Sequence, residues 1–328
     1  MQDMRIIEKT SKRFELMQKL KKFIRSHSFL YCSYKKVFHV YKYFFAKNSY
    51  PIKITKKYLK EQYCENFNFQ TVPKLKKTNK KIAVHLHLFY IDLLEEFCRY
   101  LSNIPFYFDI FISCREGSDK AMIKNRVSKL KYVKHIIIKE TQNKGRDIAP
   151  LYIVFAKDIL RYDYFLQIHT KKSLHFKNGR PDWRNYCLSA ILGNKDTVKR
   201  IFSTFSNDSK VGLFMPKKFK TIRECFYCWS ENKEIGIKFL KKMRIKFNDE
   251  SFDFPAGSFF WAKIDAVRPL LEYNMKYSDF QDESGQVDGT LAHALERIIA
   301  FIVESQGYLQ AGYNPEDNSL IIKDIKRI

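Results

Sequence analysis

Residues 166–173 of this chain combine the end of an apolar run with one histidine and two lysines. Residues 165–168 have the character of a buried strand, and His169, Lys171 and Lys172 follow directly after it. Open α/β sheets bind ligands at the carboxyl ends of their strands. Fixed cations there stabilise a departing phosphate, as a metal would otherwise do. The spacing predicts a metal-free phosphate site, and a solvated Lys-Lys turn behind a strand-end histidine is the alternative.

The loop at residues 143–147, Asn-Lys-Gly-Arg-Asp, ends another predicted strand at 132–138. Its glycine allows a sharp strand-to-helix turn that directs backbone N–H groups towards a ligand. Arg146 could pair with phosphate through two parallel hydrogen bonds. Asp147 could accept from a ribose or sugar hydroxyl, or merely cap the following helix. We take this loop, with Asn143 at its start, as a second candidate ligand contact.

A carboxylate stands near the start of a predicted long helix in the last part of the chain. Apolar residues recur at helical spacing from Leu291, so Asp288 lies at or near the helix start. The positive helix end keeps a carboxylate ionised, as a general base must be, although the position equally suits a plain N-cap. Asp282 and Glu283 are rivals for the role of base. His293 on the same helix is as consistent with packing as with function.

Two further groups could line the same site. His85 and His87 alternate on a predicted strand at 81–88, so both point to one face. They could stack on a base or hold a hydroxyl, and buried structural histidines are the alternative. Residues 254–261 supply a Gly-Ser turn flanked by aromatics, which suit sugar rings and core packing equally. The candidate acceptor contacts in this turn are Gly257, Ser258 and Trp261.

Strands and helices alternate along residues 81–328 in the manner of a parallel α/β sheet. The predicted strands are 81–88, 106–113, 132–138, 165–168, 211–215 and one within 252–262. The predicted helices are 91–102, one ending near 160, 185–192, 195–205 and a long one from 287. The fold class is therefore α/β, a Rossmann-type, mostly parallel sheet flanked by helices. No Walker-type loop, Gly-x-Ser-x-Gly elbow or paired metal-ligand histidines occur, which disfavours NTPases, hydrolases and metalloproteases.

The positive charge of the chain is concentrated near its N-terminus. Of a net charge of +25, residues 1–80 hold 20 Lys or Arg against 5 Asp or Glu. Basic and apolar residues alternate at helical spacing over 12–25, and 29–45 is rich in Tyr, Phe and Lys. Such a segment suits an anionic membrane surface, although packing on the domain or a solvated basic surface would also explain it. The polar residues 71–80 predict the boundary between a basic helical segment and a domain at 81–328.

The sequence also bears on location. No apolar run is long enough to span a bilayer, and the N-terminus lacks the apolar core of a secretory signal. Seven cysteines without framework spacing fit a reducing compartment, and the lone Cys225-x-x-Cys228 pair does not predict a zinc or redox site. We expect a cytoplasmic protein at the inner face of the plasma membrane.

Four motifs, in order, resemble the rhamnan synthesis protein F family. They lie at residues 143–147, 167–173, 254–258 and 286–297. The resemblance covers roughly 80–305 and leaves the basic N-terminal segment outside. It implies a bacterial sugar transferase, often rhamnosyl, acting in cell-wall or lipopolysaccharide assembly on a GT-A-like core. Such cores usually end the corresponding strand in a metal-binding Asp-x-Asp, whereas this chain has His169-Thr170-Lys171.

The leading hypothesis is an inverting glycosyltransferase that uses a nucleotide-sugar donor, with dTDP-rhamnose as a plausible one and no metal cofactor. Asp288 would deprotonate the acceptor hydroxyl of a lipid-linked glycan, and residues 1–80 would contact the anionic membrane. The expected donor-binding residues are His85, His87, Asn143, Arg146, Asp147, His169, Lys171 and Lys172. The net positive charge is also compatible with a nucleic-acid-binding protein, although no recognised nucleic-acid-binding motif supports this alternative. A non-catalytic partner in glycan assembly is a third possibility.

Overall fold

A computed structural model describes residues 78–172, 181–208, 210–219, 228–247 and 253–323 of the 328-residue chain. The predicted basic segment, apart from its last three residues, lies outside the described residues. Cys225 of the Cys-x-x-Cys pair does so as well.

The described residues form one eight-stranded sheet in the order β3-β2-β1-β4-β6-β5-β7-β8. In chain order the strands are β1 Ile82–Leu88, β2 Phe108–Arg115, β3 Val133–Thr141, β4 Tyr164–His169, β5 Val211–Pro216, β6 Phe260–Lys263, β7 Leu309–Asn314 and β8 Ser319–Lys323. The three pairings among β3, β2, β1 and β4 are parallel, as is β5 with β7, and the other three are antiparallel. The expectation of a mostly parallel sheet is therefore corrected to a mixed one. Strand β6 runs against both of its neighbours, and a short turn at 315–318 folds β8 back onto β7.

Helices cover both faces of this sheet. They are α1 Leu94–Leu101, α2 Lys120–Val127, α3 Ala156–Ile159, α4 Pro181–Leu192, α5 Lys195–Asn207, α6 Lys233–Lys242, α7 Ile264–Leu271 and α8 Leu291–Ser305. Buried side chains of α1, α2, α4 and α5 share one hydrophobic core with the even-numbered residues of β1. Buried side chains of α3, α6, α7 and α8 share a second core with Ala83 of β1. The central strands are covered on both faces, which explains their nearly continuous apolar sequences.

Two helices differ from expectation near the predicted site. The segment after Asp147 is π-helical over Pro150–Phe155 before it becomes α3. The long helix begins at Leu291, because the side chain of Thr290 accepts from the backbone N–H of His293 and caps it. Asp288 therefore lies two residues before the cap, and the N-cap interpretation of Asp288 is wrong.

Candidate functional site at the carboxyl edge of the sheet

Polar side chains gather where the parallel strands β2, β1 and β4 end. Cα pairing places His87 level with both Ser113 and His169, and His85 level with Gln167. Alternate residues of a strand share a face, so these side chains project to the side of the sheet that holds the second core. We call these five residues together with Asp147 the strand-edge network. All six are buried, with at most 8% of their surface exposed.

Hydrogen bonds within this network run in one direction. The Gln167 amide nitrogen lies 3.5 Å from Asp147 Oδ2, so its Oε1 faces His85 and accepts from Nδ1 at 2.6 Å. His85 Nε2 then accepts from the Ser113 hydroxyl at 3.1 Å, and this hydroxyl accepts from His87 Nδ1 at 2.8 Å. A carboxylate only accepts, which fixes the order of donors from His87 to Asp147.

Burial keeps the three histidines of the network uncharged. It lowers the pKa of His85 to about 4 and that of His87 to about 3, well below the ordinary histidine value. Burial, with the positive charge of Lys171, lowers the pKa of His169 to about 3. His169 Nδ1 lies 3.6 Å from Asp147 Oδ1, but a neutral ring makes no ion pair. Near neutral pH these rings therefore offer hydrogen bonds and not positive charge.

The Gly257 peptide lies next to this network. Its carbonyl accepts from His169 Nε2 at 2.7 Å, and its N–H donates to the Glu296 carboxylate. Gly257 has a φ of +92°, and a Cβ there would lie 3.3 Å from the ring of Trp183. Glycine at this position therefore allows the turn to bring its C=O and N–H groups within hydrogen-bonding distance of His169 and Glu296.

The two lysines after β4 have different surroundings. The Lys171 ammonium lies 4.0 Å from the ring centroid of Trp183, and within the described ranges no carboxylate forms an ion pair with it. The Lys172 ammonium pairs with Asp92 at 2.5 Å and lies 4.8 Å from the ring centroid of Tyr90. Of this pair, Lys171 is therefore the cation available to a ligand.

The loop at 143–147 brings Arg146 towards the start of α8. Gly145 and Arg146 have φ angles of +71° and +58°, which produce the sharp turn that the glycine predicted. The Arg146 guanidinium donates to the backbone carbonyl of Gln286, and its Nε lies 3.7 Å from Glu283. Asn143 is exposed.

A second group of side chains surrounds Asp288, and we call Asn232, Asp288, His293, Glu296 and Arg297 the helix-start cluster. Asp288 Oδ1 accepts from Asn232 at 2.6 Å, and Oδ2 accepts from the backbone N–H of Glu231 at 3.3 Å. Arg297 is buried and lies 3.7 Å from Asp288 and 3.5 Å from Glu296. Burial alone would raise the pKa of Asp288, but the bond from Asn232 and the charge of Arg297 outweigh it. The pKa of Asp288 is lowered, and the carboxylate is ionised near neutral pH.

The expected acceptor contacts separate into two groups. Gly257 lies beside the network, and Ser258 follows it as a buried residue with a φ of +57°. Trp261 is completely buried, packs against Phe202 and donates from Nε1 to the carbonyl of Ile191 at 3.0 Å. The expected acceptor contact at Trp261 is therefore wrong, because β6 alternation turns this ring into the first core.

Sequence reasoning assigned no role to several residues that complete the two groups. Ser113 and Gln167 carried a signal, since each stands at the end of an apolar strand with its side chain on the histidine face. Glu296 and Arg297 lie three and four residues after His293, on the same helix face. Asn232 carried no local signal, because only the tertiary structure brings it to Asp288.

The described residues contain neither a metal-binding group nor a membrane-spanning helix. Within the described ranges, no group of three or more His, Cys, Asp or Glu side chains is arranged to hold a metal ion. None of the helices in the described part of the chain is both long and apolar enough to cross a membrane.

Comparison with known proteins extends the motif resemblance. The profile of the family described as rhamnan synthesis protein F matches residues 20–308, so the match includes most of the basic segment that motif comparison left outside. The chain is 31% identical over 242 residues to the proteins described as uncharacterized protein WxcX in two strains of Xanthomonas campestris pv. campestris. These alignments cover 69% of this chain and 32% of each relative. The chain thus matches about a third of the length of these relatives, and no solved structure matches it. Because the family profile matches most of its length, the chain belongs to the rhamnan synthesis protein F family.

Proposed function

We propose that this chain is a glycosyltransferase that moves a sugar from a nucleotide-sugar donor to a growing bacterial polysaccharide. The observation that carries the proposal is the position of Lys171 and the strand-edge network at the carboxyl ends of the parallel strands. Open α/β sheets bind ligands at this edge. Membership of a family named for rhamnan synthesis supports the polysaccharide product and makes rhamnose a suitable sugar. A GT-A-like core is part of this proposal.

The proposed chemistry requires stabilisation of a departing diphosphate. Charge separates in the transition state between an oxocarbenium-like sugar and the leaving phosphate. Lys171 and Arg146 would contact that phosphate as fixed cations, and no metal would be needed. Neutral His87 and buried Asp147 would instead hold hydroxyl groups of the nucleotide sugar, and His85 would orient the network through its bonds to Gln167 and Ser113.

Asp288 is the proposed base for the acceptor hydroxyl in an inverting reaction. Its lowered pKa keeps it ionised, and its side chain retains 20% of its exposure. Each carboxylate oxygen has two lone pairs, so the bonds from Asn232 and Glu231 leave capacity for a substrate hydroxyl. The acceptor would be a lipid-linked glycan beside Gly257 and Ser258, and residues 1–80 would hold the enzyme on the anionic inner leaflet of the membrane.

The proposal is tested by nucleotide release and product formation with a panel of nucleotide sugars, dTDP-rhamnose included, with and without EDTA. We expect Asp288→Asn to lower turnover about 10²–10⁴-fold, as loss of a general base does. Lys171→Ala should lower it about 10²-fold, as loss of one transition-state cation does. Matched controls are Asp265→Asn and Lys124→Ala, both at exposed positions, which should retain wild-type turnover.

Three results would each remove part of the proposal. Wild-type turnover in Asp288→Asn would exclude Asp288 as the base. Complete loss of turnover with EDTA would exclude the metal-free mechanism. Absence of transfer with every donor would exclude the enzyme assignment for this chain alone.

A non-catalytic partner in glycan assembly is the second candidate. The hydrogen bonds to both Asp288 oxygens and the nearby Arg297 favour it, because they also suit a purely structural carboxylate. Such a protein would bind a nucleotide sugar, as seen by thermal stabilisation, and would never release free nucleotide.

A further inference from the structure

His293 is the one member of the helix-start cluster whose side chain is incompletely satisfied. It is the third residue of α8, and the residue is buried, with 9% of its surface exposed. Among the described residues, Nε2 has no hydrogen-bond partner and is enclosed by protein. A buried polar atom without a partner is uncommon in proteins, because it loses its bonds to water without replacement.

The position of the proton on the His293 ring depends on the hydrogen bond that the other ring nitrogen, Nδ1, makes with Thr290. Thr290 Oγ1 accepts from the backbone N–H of His293 at 3.4 Å, and its own hydroxyl lies 2.8 Å from Nδ1. We assign the hydroxyl proton to the bond with Nδ1, because the hydroxyl oxygen already accepts from the backbone N–H, and this assignment leaves the ring proton on Nε2. With this tautomer the unpartnered atom is a donor that requires an acceptor.

Three cations and one carboxylate act on the His293 ring. Burial lowers the pKa of His293 to about 3, the charges of Arg146, Arg297 and Lys171 act in the same direction, and the charge of Asp288 opposes them. The charges of Lys171 and Arg146 also act on His169. The two histidines are thus under the influence of the same two cations, and a neutral N–H donor beside cations matches an anionic acceptor.

We propose that His293 donates its Nε2–H to a phosphoryl oxygen of the nucleotide diphosphate, which completes an anion site with Lys171 and Arg146. This inference rests on the proposed function and adds a ligand-binding residue to it. Because Nε2 is enclosed, neighbouring side chains must shift when the phosphate binds. Arg297 is paired with Asp288 and Glu296 and holds the cluster together without contacting the ligand.

Inorganic pyrophosphate and dTDP are the probes, because they separate the diphosphate from the sugar. Calorimetric titration of the full chain should give dissociation constants about tenfold or more weaker for His293→Phe, which keeps the ring volume without nitrogen atoms. His293→Gln, whose amide nitrogen reaches the position of Nε2, should bind within a few-fold of wild type. His135→Phe is the matched control, since the His135 side chain is 73% exposed on β3. Thermal unfolding of each variant checks folding independently.

Long-range ¹H–¹⁵N spectra of the histidine rings supply a second readout that a purely structural role would not change. The Nε2–H resonance of His293 should shift on addition of pyrophosphate, and the His135 resonances should not. Equal binding by folded His293→Phe and wild type would overturn the role of His293 and leave the glycosyltransferase proposal intact. A wild-type chain that transfers sugar but gives no His293 shift would overturn the inference alone. Absence of both binding and transfer would overturn both proposals.

Discussion

The strand-edge network and the helix-start cluster lie on either side of the Gly257 peptide, and they hold their polar groups in opposite ways. His169 contacts the Gly257 carbonyl, and Glu296 accepts from its N–H. On the strand side, two neutral histidines, a hydroxyl and an amide are hydrogen-bonded in one direction. On the helix side, Arg297 lies between two carboxylates.

This difference follows from the elements that carry each group. Parallel strands fix alternate side chains on one face, so polar residues at strand ends become buried neighbours and burial favours their neutral forms. At the start of α8 the carboxylates of Asp288 and Glu296 are more exposed than the histidines, so they remain charged and pair with Arg297. In the proposed reaction, the strand-edge network would position the nucleotide sugar through hydrogen bonds. The helix-start cluster would supply the base and a phosphate contact.

The largest expected effect on stability tests the charged side. Arg297→Leu should lower the free energy of unfolding by about 3–5 kcal/mol, because it leaves two largely buried carboxylates without their partner. Urea unfolding measures the change. The matched control is Arg126→Leu, whose partner Glu95 is 74% exposed, and it should have little effect. A wild-type midpoint for Arg297→Leu would show that this pairing contributes nothing to the fold.

A smaller loss is expected on the strand side. Gln167→Leu removes the bonds to His85 and Asp147 and should cost about 1–3 kcal/mol, the range for buried groups left unsatisfied. Gln142→Leu, at an exposed position, is the control. Combining Gln167→Leu with Arg297→Leu sharpens the comparison. Additive losses would make the two sides energetically separate, and a departure of about 0.5 kcal/mol or more would indicate coupling through Gly257.

The free energy of unfolding should also depend on pH differently for the strand-edge network and the helix-start cluster. The folded pKa values of His85, His87 and His169 lie near 4, 3 and 3, below the unfolded histidine value of about 6.5. The unfolded chain therefore binds protons first, and the free energy of unfolding should fall as pH falls from about 6.5 towards 4. The lowered pKa of Asp288 adds a further loss only below the ordinary aspartate range.

Thermal unfolding across this pH range, with a His87→Asn variant, measures the effect. Asparagine keeps a donor for Ser113 but does not titrate, so the slope between about pH 6 and 4 should decrease. An unchanged slope would contradict a buried neutral His87.

The smallest effect concerns Glu304, near the far end of α8. Burial raises the pKa of this carboxyl to about 7, so the folded state binds the proton more tightly than the unfolded chain does. Its contribution to stability should therefore decline as pH rises from about 4.5 to 7, opposite to the histidines. Glu304→Gln should remove that decline and raise the melting temperature mainly above neutral pH. A uniform change at every pH would argue against a buried proton on Glu304.

Local patterns predicted most of the elements that carry the site. The first four strands were predicted to within about three residues, because each is a short, mainly apolar segment bounded by polar or turn-forming residues. Helix α2 was missed, because its only two buried residues, Ile123 and Val127, are too few to give a clear helical repeat of apolar residues. The β7–β8 hairpin was also missed, and the mixed sheet depends on strand pairing between distant segments.

The sequence by itself determined the α/β class, the family motifs and the shared face of His85 and His87, because period and local order encode them. Only the tertiary structure decided which charges remain available at the strand end. It paired Lys172 with Asp92, left Lys171 beside Trp183 and buried Trp261 in the core. It also brought Asn232 and Arg297 to Asp288. Burial and pairing depend on residues far apart in the chain, so spacing alone cannot fix the charge that a site presents.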